Sequence, residues 1–203
     1  MAPRKYSLGK RAKAVEDTRR RIVDATFALH NEKGPLNTSM QEVAERADVA
    51  LRTVYHHFPT VNHLVNGCAG HVITLLAPPT PAIFAGLTSL DARLRRLVRE
   101  LFAMYERGAL QLEVARCQQN EVPALANFVR NEAAMRESLV REALRPFQPK
   151  PRTIREAAAF TDFYVWKAFT QRELSTHQAA GIVSGTLVAL ASSALGGKKG
   201  RTK

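Results

Sequence analysis

The sequence predicts an all-α protein, and three observations support that fold class. Apolar residues recur at helical spacing along most of the chain, and β-branched residues nowhere alternate over a long stretch. Clusters of proline and glycine divide the chain into segments of helix length. With 203 residues, of which 45% are hydrophobic and 24% are charged, the chain can bury a substantial core.

The first helix is predicted over residues 17–33, where Ile22, Ala25, Thr26 and Leu29 mark the stripe expected to be buried. Gly34 and Pro35 should end it, because glycine readily takes the left-handed conformation of a helix end and proline cannot continue a helix. Two short helices should follow, over about 40–47 and 50–56. Two capping boxes compete for the start of the first of these, namely Thr38 with Gln41 and Ser39 with Glu42.

A fourth helix is expected from Thr60, which can cap it, to about residue 76, where a proline-rich segment should stop it. Within this helix, Gly67 and Gly70 each cost about 1 kcal/mol relative to alanine. They indicate either a hinge or a site of close packing against the first helix. Beyond the prolines, helices are predicted over residues 89–107, 110–117, 122–145, 152–172 and 175–195.

Basic residues are concentrated at the two ends of the sequence. The formal net charge is +12, and residues 1–15 and 198–203 contain nine basic residues and no acidic one. We therefore expect a basic flexible arm over 1–16 and a basic tail over 198–203. Such an excess favours an acidic partner, either nucleic acid or an anionic membrane surface. The arm fits two functions, a solubilising tail or an element that contacts phosphates or a minor groove.

Several function classes find no support in the sequence. Cys68 and Cys117 are too far apart for a disulfide framework or a zinc site, so we expect a reduced, cytoplasmic setting. The longest apolar stretch, from Ile182 to Leu195, is short for a bilayer span, and the N-terminus lacks the apolar core of a signal peptide; no membrane partner is expected. No nucleophile–base set and no phosphate-binding glycine loop is present, so we expect no enzyme, cofactor or metal site.

Residues 38–58 predict a helix-turn-helix unit, because two short helices lie three or four residues apart after a longer amphipathic helix. In a DNA-binding unit the later helix enters the major groove. Arg52 can bond a guanine in bidentate fashion, and Thr53 and Tyr55 can bond phosphate oxygens. His57 lies at the helix end, where its N–H can meet the DNA backbone. A short helix-turn-helix is also a common packing unit, so this layout alone leaves both interpretations open.

Residues 21–64 resemble the TetR family of transcriptional repressors. The resemblance rests on the first helix, on Gly34 and Thr38, and on the string VAERADVALRTVYHHFPTVNHL. Its strongest part is the run over 53–58, which is similar to the end of the family's recognition helix.

This resemblance implies a two-domain protein. A three-helix helix-turn-helix DNA-binding domain is expected over 17–77, and a C-terminal helical ligand-binding and dimerisation domain over 78–197. The candidate DNA-binding residues are Thr38, Leu51, Arg52, Thr53, Tyr55, His56 and His57.

Three positions depart from the family pattern. Asp48 stands where the family often has glycine, and Ala50 where it often has serine. The third helix therefore lacks a favoured N-cap unless Asp48 supplies one. Val61 stands where the family commonly has lysine, which puts one phosphate contact in doubt. Asn62 or His63 is the expected, weaker replacement.

The second predicted domain offers candidates for a ligand pocket and for a dimer interface. Pockets are mostly apolar with few polar groups, and the candidates here are Phe102, Tyr105, Cys117, Phe128 and Trp166. Core packing is the alternative for each of them. Glycine, alanine and serine residues in the last helix would let a partner helix approach closely. The resemblance implies a four-helix bundle across a dimer, with packing inside one chain as the alternative.

Together these observations predict a ligand-responsive transcriptional repressor that binds a palindromic operator as a homodimer. Its expected partners are double-stranded operator DNA, a small-molecule inducer of unidentified structure and a second copy of the chain. The alternative is a helical ligand-binding or adaptor protein that no longer binds an operator.

Overall fold

The protein, in a computed structural model that describes residues 5–196, is all-α over those residues, as the sequence predicts. Short 3-10 turns occur at Pro35–Asn37, Pro81–Phe84 and Arg145–Phe147. The α-helices are α1 (Lys5–Lys33), α2 (Met40–Arg46), α3 (Leu51–His57), α4 (Val61–Gly67), α5 (Ala69–Leu76), α6 (Leu90–Arg107), α7 (Ala109–Gln118), α8 (Pro123–Leu144), α9 (Pro151–Phe160), α10 (Phe163–Thr170) and α11 (Thr176–Gly196).

The first helix begins a full twelve residues before its predicted start. Residues 5–16, which were expected to form a flexible arm, continue α1 toward its N-terminus because no proline or helix-ending glycine motif interrupts them. The remainder of the predicted arm, residues 1–4, lies outside the described residues. The predicted basic tail over 198–203 lies outside them as well.

Two predicted helices are each divided in the structure. The fourth helix is interrupted at Cys68, between α4 and α5. The helix predicted over 152–172 is interrupted at Thr161 and Asp162, and the Asp162 carboxylate accepts a hydrogen bond from the backbone N–H of Tyr164 at 2.9 Å. Aspartate in this position starts a new helix because its side chain satisfies an N–H that has no partner within the helix.

The chain forms two compact units that do not follow one another in sequence. Unit 1 contains the residues up to Thr74 together with Glu113–Asn127, and unit 2 contains Leu75–Leu112 and the residues from Phe128 onward. The assignment of DNA binding to 17–77 and of ligand binding to 78–197 stays a prediction.

The core of unit 1 joins the first helix to the helix-turn-helix. Ile22, Val43 and Val54 are fully buried, and they come from α1, α2 and α3. The predicted stripe of α1 is buried along its whole length, and Val49 packs against this core without being fully covered. Helices α2 and α3 are therefore held as one rigid unit by apolar contacts.

Helix α11 packs in unit 2 and is also strongly apolar. Val183 and Leu187 face the interior, whereas Ile182 and Leu190 are 47% and 39% exposed. The stretch Thr176–Leu195 is long and apolar enough to cross a membrane, and a third of it is buried. This stretch is longer than the one from Ile182 to Leu195 that the sequence indicated, because α11 begins at Thr176. Core helices of soluble proteins share this composition, so it is weak support for a membrane span.

Candidate nucleic-acid interface

A capping box fixes the start of α2. The Ser39 hydroxyl accepts from the backbone N–H of Glu42 at 3.2 Å, and the Glu42 carboxylate accepts from the backbone N–H of Ser39 at 2.9 Å. Lys33 forms an ion pair with Glu42, and this pair and the Ser39 bonds lower the pKa of the Glu42 carboxyl to about 2. Of the two boxes that the sequence allows, Ser39 with Glu42 forms and Thr38 with Gln41 does not.

Thr38 is the one predicted DNA-binding residue that the structure does not place on an exposed surface. It is buried, with 6% of its surface exposed, and its hydroxyl donates to the Gly34 carbonyl at 2.9 Å. Gly34 itself has a φ of 81°, which favours glycine. Thr38 therefore stabilises the turn after α1 in this structure, and its expected contact with DNA is not supported.

The turn between α2 and α3 depends on a left-handed residue. Asp48 has a φ of 52°, a conformation in which glycine is the least strained residue. Its carbonyl accepts from the guanidinium of Arg21 at 3.4 Å. The N-cap of α3 is Ala50, which makes no side-chain capping bond. The expected role of Asp48 as a substitute cap is therefore wrong; it supplies the turn instead.

The exposed face of α3 carries the other six predicted DNA-binding residues. Because Val54 is fully buried, the opposite face of this short helix points away from the core. Four of the six are exposed, namely Leu51, Arg52, Tyr55 and His56, and two are half-buried, namely Thr53 and His57. This face presents a guanidinium, a phenol, a threonine hydroxyl and two imidazoles, which are suitable donors for phosphates and base edges.

The imidazole of His57, at the C-terminal end of α3, has a lowered pKa. Burial lowers the pKa of its imidazole, and the positive charges of His56 and Arg19 lower it further. The Arg19 guanidinium also lies over the ring of Phe58, 5.3 Å from its centroid. Arg19 has no signal in the sequence, because only the folded chain brings α1 beside the end of α3.

Asn62 and His63 are the expected replacements for a phosphate-binding lysine at position 61. Each of them contacts another group of the protein at hydrogen-bond distance. The Asn62 side chain accepts from the backbone N–H of Ala124 at 2.7 Å. The Nδ1 atom of His63 is 2.8 Å from the Thr60 hydroxyl. The oxygen of the Asn62 side chain is turned toward the segment Glu113–Asn127 of unit 1, and a phosphate contact by this residue stays a prediction.

A second hydrogen bond connects the segment Glu113–Asn127 to the rest of unit 1. The Gln118 side chain accepts from the backbone N–H of Leu36 at 3.2 Å, directly after α1. The segment therefore contacts unit 1 at the turn between α1 and α2 and at the start of α4. These two hydrogen bonds explain why residues 113–127 form part of unit 1.

The predicted ligand-pocket residues are divided between the two units. In unit 2, Phe102, Tyr105 and Trp166 are buried and form a closed cluster with Phe163, with ring centroids 5.5–6.2 Å apart. Phe128 is half-buried in unit 2, and Cys117 is exposed in unit 1. Cys117 therefore belongs to a different unit from the other four candidates.

Polar groups are buried at the edge of this aromatic cluster. The Tyr105 hydroxyl is 2.9 Å from the Thr161 carbonyl and 3.1 Å from the Glu132 carboxylate. Burial, together with the negative charge of Glu132, raises the pKa of the Tyr105 phenol well above its usual value. The Arg136 guanidinium pairs with Asp162 at 2.6 Å and lies 3.8 Å from Glu132.

The two cysteine side chains differ in their exposure to solvent. Cys68 is buried, and burial raises the pKa of its thiol to about 12. Cys117 is exposed.

Within residues 5–196, no group of three histidine, cysteine or acidic side chains is arranged to hold a metal ion.

Comparison with known proteins identifies the helix-turn-helix segment. Residues 22–68 match the family described as bacterial regulatory proteins, tetR family. The HTH-type transcriptional repressor KstR of Mycolicibacterium smegmatis is 36% identical over 103 residues, which are 50% of this chain and 50% of that protein. KstR of Rhodococcus jostii is 48% identical over 52 residues, 26% of this chain and 24% of that protein. The chain thus matches about half the length, or less, of these curated relatives.

Solved structures show the same fold over most of the chain. A multidrug binding protein, EbrR, solved in complex with imidazole, superposes with a TM-score of 0.62 at 22% identity, covering 85% of this chain and 89% of that one. A TetR transcription regulator from Haloarcula marismortui superposes with a TM-score of 0.59 at 16% identity, covering 88% and 98%. The matched family consists of regulators and not of enzymes, in agreement with the expectation from the sequence.

Proposed function

Through residues 22–68 the chain belongs to the tetR family of bacterial regulatory proteins, and from this premise we propose that it is a transcriptional repressor that binds a palindromic operator as a homodimer and is released by a small molecule. Each half of the dimer would place α3 in the major groove. The relatives named as repressors support the regulatory class. Their match covers half of the chain or less, so the operator, the inducer and the dimer are parts of the proposal.

The exposed face of α3 is the observation that carries this proposal. Arg52 is exposed on it and can bond a guanine through O6 and N7. Tyr55 is 48% exposed, although it follows directly on the fully buried Val54. The Tyr55 side chain is therefore available for contact with a partner. Its hydroxyl can donate a hydrogen bond to a phosphate.

The outward face of α11 supports dimerisation. Gly181 and Gly185 have open space where a side chain would stand, with no described atom within 4 Å. Ile182 and Leu190 of the same helix are partly exposed. Small residues beside exposed aliphatic ones are suited to the close approach of a second α11. A dimer of this kind would bring two α3 helices to half-sites about 34–36 Å apart.

Unit 2 is where we place the small molecule. Tyr105 and Glu132 bury polar groups among aromatic rings, which is the composition of a small-molecule site. The rings are closely packed, so a ligand would have to displace one of them. Binding in unit 2 would have to favour a conformation in which the two α3 helices no longer match the operator.

Fluorescence anisotropy with the DNA upstream of the protein's own coding sequence tests operator binding. The wild-type protein should bind one fragment with a sharp preference, and Arg52→Ala should reduce that preference at one base position by about 1–3 kcal/mol. Arg46→Ala is the control, because Arg46 is already paired with Glu32 at 2.5 Å and 2.9 Å. If no genomic fragment binds at low salt, the chain is instead the helical ligand-binding or adaptor protein described above.

A further inference from the structure

The N-terminal part of α1 contributes no described side chain to the core of unit 1. Every described side chain from Arg11 to Glu16 is exposed, including Val15 at 54%. A side chain built at Gly9 would meet nothing within 4 Å among the described residues. From Arg11 onward, the first buried residue of the helix is Ile22. Residues 11–16 therefore form an exposed part of α1, and residues 5–10 continue the helix toward its N-terminus.

This extension is positively charged. Residues 5–15 contain Lys5, Lys10, Arg11 and Lys13 and no acidic residue. A helix N-terminus carries the positive end of the helix dipole, so basic residues are unfavourable there and anions are favoured. A short helix without tertiary contacts is also only marginally stable in water. The extension thus has the charge and the free surface to gain from an anionic partner.

The position of the extension identifies that partner. The electrostatic influence of Glu16 and Arg19 on His57, and the contact of Arg19 with Phe58, place this part of α1 beside the end of α3. The eleven residues before Glu16 continue from there for about 16 Å, at 1.5 Å per residue. An element that begins beside the DNA-facing helix and carries only positive charge is placed to follow the phosphate backbone next to the site that α3 occupies.

We propose that residues 5–15 of α1 bind the phosphates of duplex DNA that flanks the α3 half-site, without regard to base sequence. This inference rests on the proposed function, because it assigns a second contact to the same partner. Arg11 and Lys13 provide two of the contacts.

The salt dependence of binding to a 40-base-pair duplex of arbitrary sequence tests the inference. Each phosphate neutralised contributes about 0.9 to the slope of log affinity against log salt concentration. Arg11→Gln with Lys13→Gln should therefore make the slope shallower by about 1.8. Lys150→Gln with Arg155→Gln is the matched control, since it removes the same charge from exposed positions in unit 2 and should leave the slope unchanged. Thermal melting should be the same for both variants and the wild type.

The outcomes separate the inference from the function on which it rests. If the wild-type protein binds the duplex and the α1 variant keeps the full slope, or if the control variant loses as much, the inference is wrong and the proposed function stands. If the wild-type protein does not bind duplex DNA at 50 mM salt, both are wrong. Vesicles that contain phosphatidylserine provide the last comparison. If the variant with Arg11→Gln and Lys13→Gln loses vesicle binding but binds the duplex as the wild type does, the surface belongs to a membrane and the inference is overturned.

Discussion

The side chain of Asn62 accepts a hydrogen bond from the backbone N–H of Ala124, with the two atoms 2.7 Å apart. Asn62 is the second residue of α4, which directly follows the α3 helix, and Ala124 is the second residue of α8. The bond therefore satisfies one of the N–H groups that a helix leaves unpaired at its start, and it does so from a residue 62 positions earlier.

Removing this acceptor should weaken unit 1. We expect Asn62→Ala to lower the free energy of unfolding by about 0.5–2 kcal/mol, the usual effect of losing a side chain that caps a helix. Asn62→Asp should retain most of the stability, because a carboxylate is also an acceptor and is favoured at a helix N-terminus. Urea denaturation measures both. Equal stability of the alanine variant and the wild type would show that the bond is not formed in solution.

Replacing Asp48, the left-handed residue of the turn between α2 and α3, by glycine should stabilise the protein. Asp48 has a φ of 52°, and glycine adopts that conformation without steric strain. Asp48→Gly should therefore raise the free energy of unfolding by about 1 kcal/mol, whereas Asp48→Ala should give no gain because it keeps the Cβ atom. Thermal melting distinguishes them. A glycine variant that melts below the wild type would contradict this conformation of the turn.

The two glycines near the break in the fourth helix should respond in opposite ways. A Cβ atom at Gly67 would lie 2.8 Å from the ring of Phe58, so Gly67→Ala should destabilise by about 1–3 kcal/mol through overpacking. Gly70 has open space, and Gly70→Ala should stabilise by up to about 1 kcal/mol. Close packing thus explains Gly67 better than the hinge does. Similar urea midpoints for the two variants would refute the difference.

Acid should destabilise the fold through His30. The Nε2 atom of its imidazole is buried without a hydrogen-bond partner among the described residues, and burial lowers the pKa of the ring from 6.5 to about 4. Because the folded protein prefers the neutral ring, stability is complete above pH 6.5 and falls as the pH decreases toward 4, by up to about 3 kcal/mol.

Replacing the ring should remove that acid sensitivity. His30→Gln should flatten the decline in unfolding free energy between pH 6.5 and 4, whereas His63→Gln, at an exposed histidine, should leave it in place. Urea denaturation at several pH values gives the comparison. An unchanged pH profile in the His30 variant would mean that other groups cause the decline.

A bulky residue on the outward face of α11 should affect assembly and not folding of the single chain. No described atom lies within 4 Å of a Cβ atom built at Gly185, so one chain can accommodate Gly185→Leu. Across a close helix pair the same change should cost more than about 1 kcal/mol. Light scattering at micromolar concentration should show a dimer for the wild type and for Ala134→Leu, an exposed control on α8, but a weakened dimer for the Gly185 variant. A monomeric wild type would contradict dimerisation at that concentration.

The core of unit 1 could be predicted from the sequence because it depends on short-range periodicity. Ile22, Val43 and Val54 follow helical spacing from recognisable helix starts, and all three are fully buried. The exposure of Arg52 and Tyr55 then follows, because the faces of a short helix are fixed once the buried residue is known.

The hydrogen bonds of the site could not be predicted in this way. Asn62 was a candidate for a phosphate, and its actual partner lies 62 residues away. Thr38 and Ser39 both satisfy the pattern of a capping residue, and only the geometry at Gly34 decides between them. The division between α9 and α10 depends on Asp162 satisfying a local N–H, which competes closely with continued helix.

The contrast between the two cysteines makes the unmodified chain suitable for site-specific labelling. Alkylating reagents attack the thiolate, and burial with a pKa of about 12 leaves the Cys68 thiol protonated and covered. Cys117 is exposed and precedes Gln118, whose side chain bonds the backbone of Leu36. A maleimide dye would therefore attach at one position, beside the joint between the segment Glu113–Asn127 and the turn after α1. Its emission would report on that joint without any substitution in the sequence.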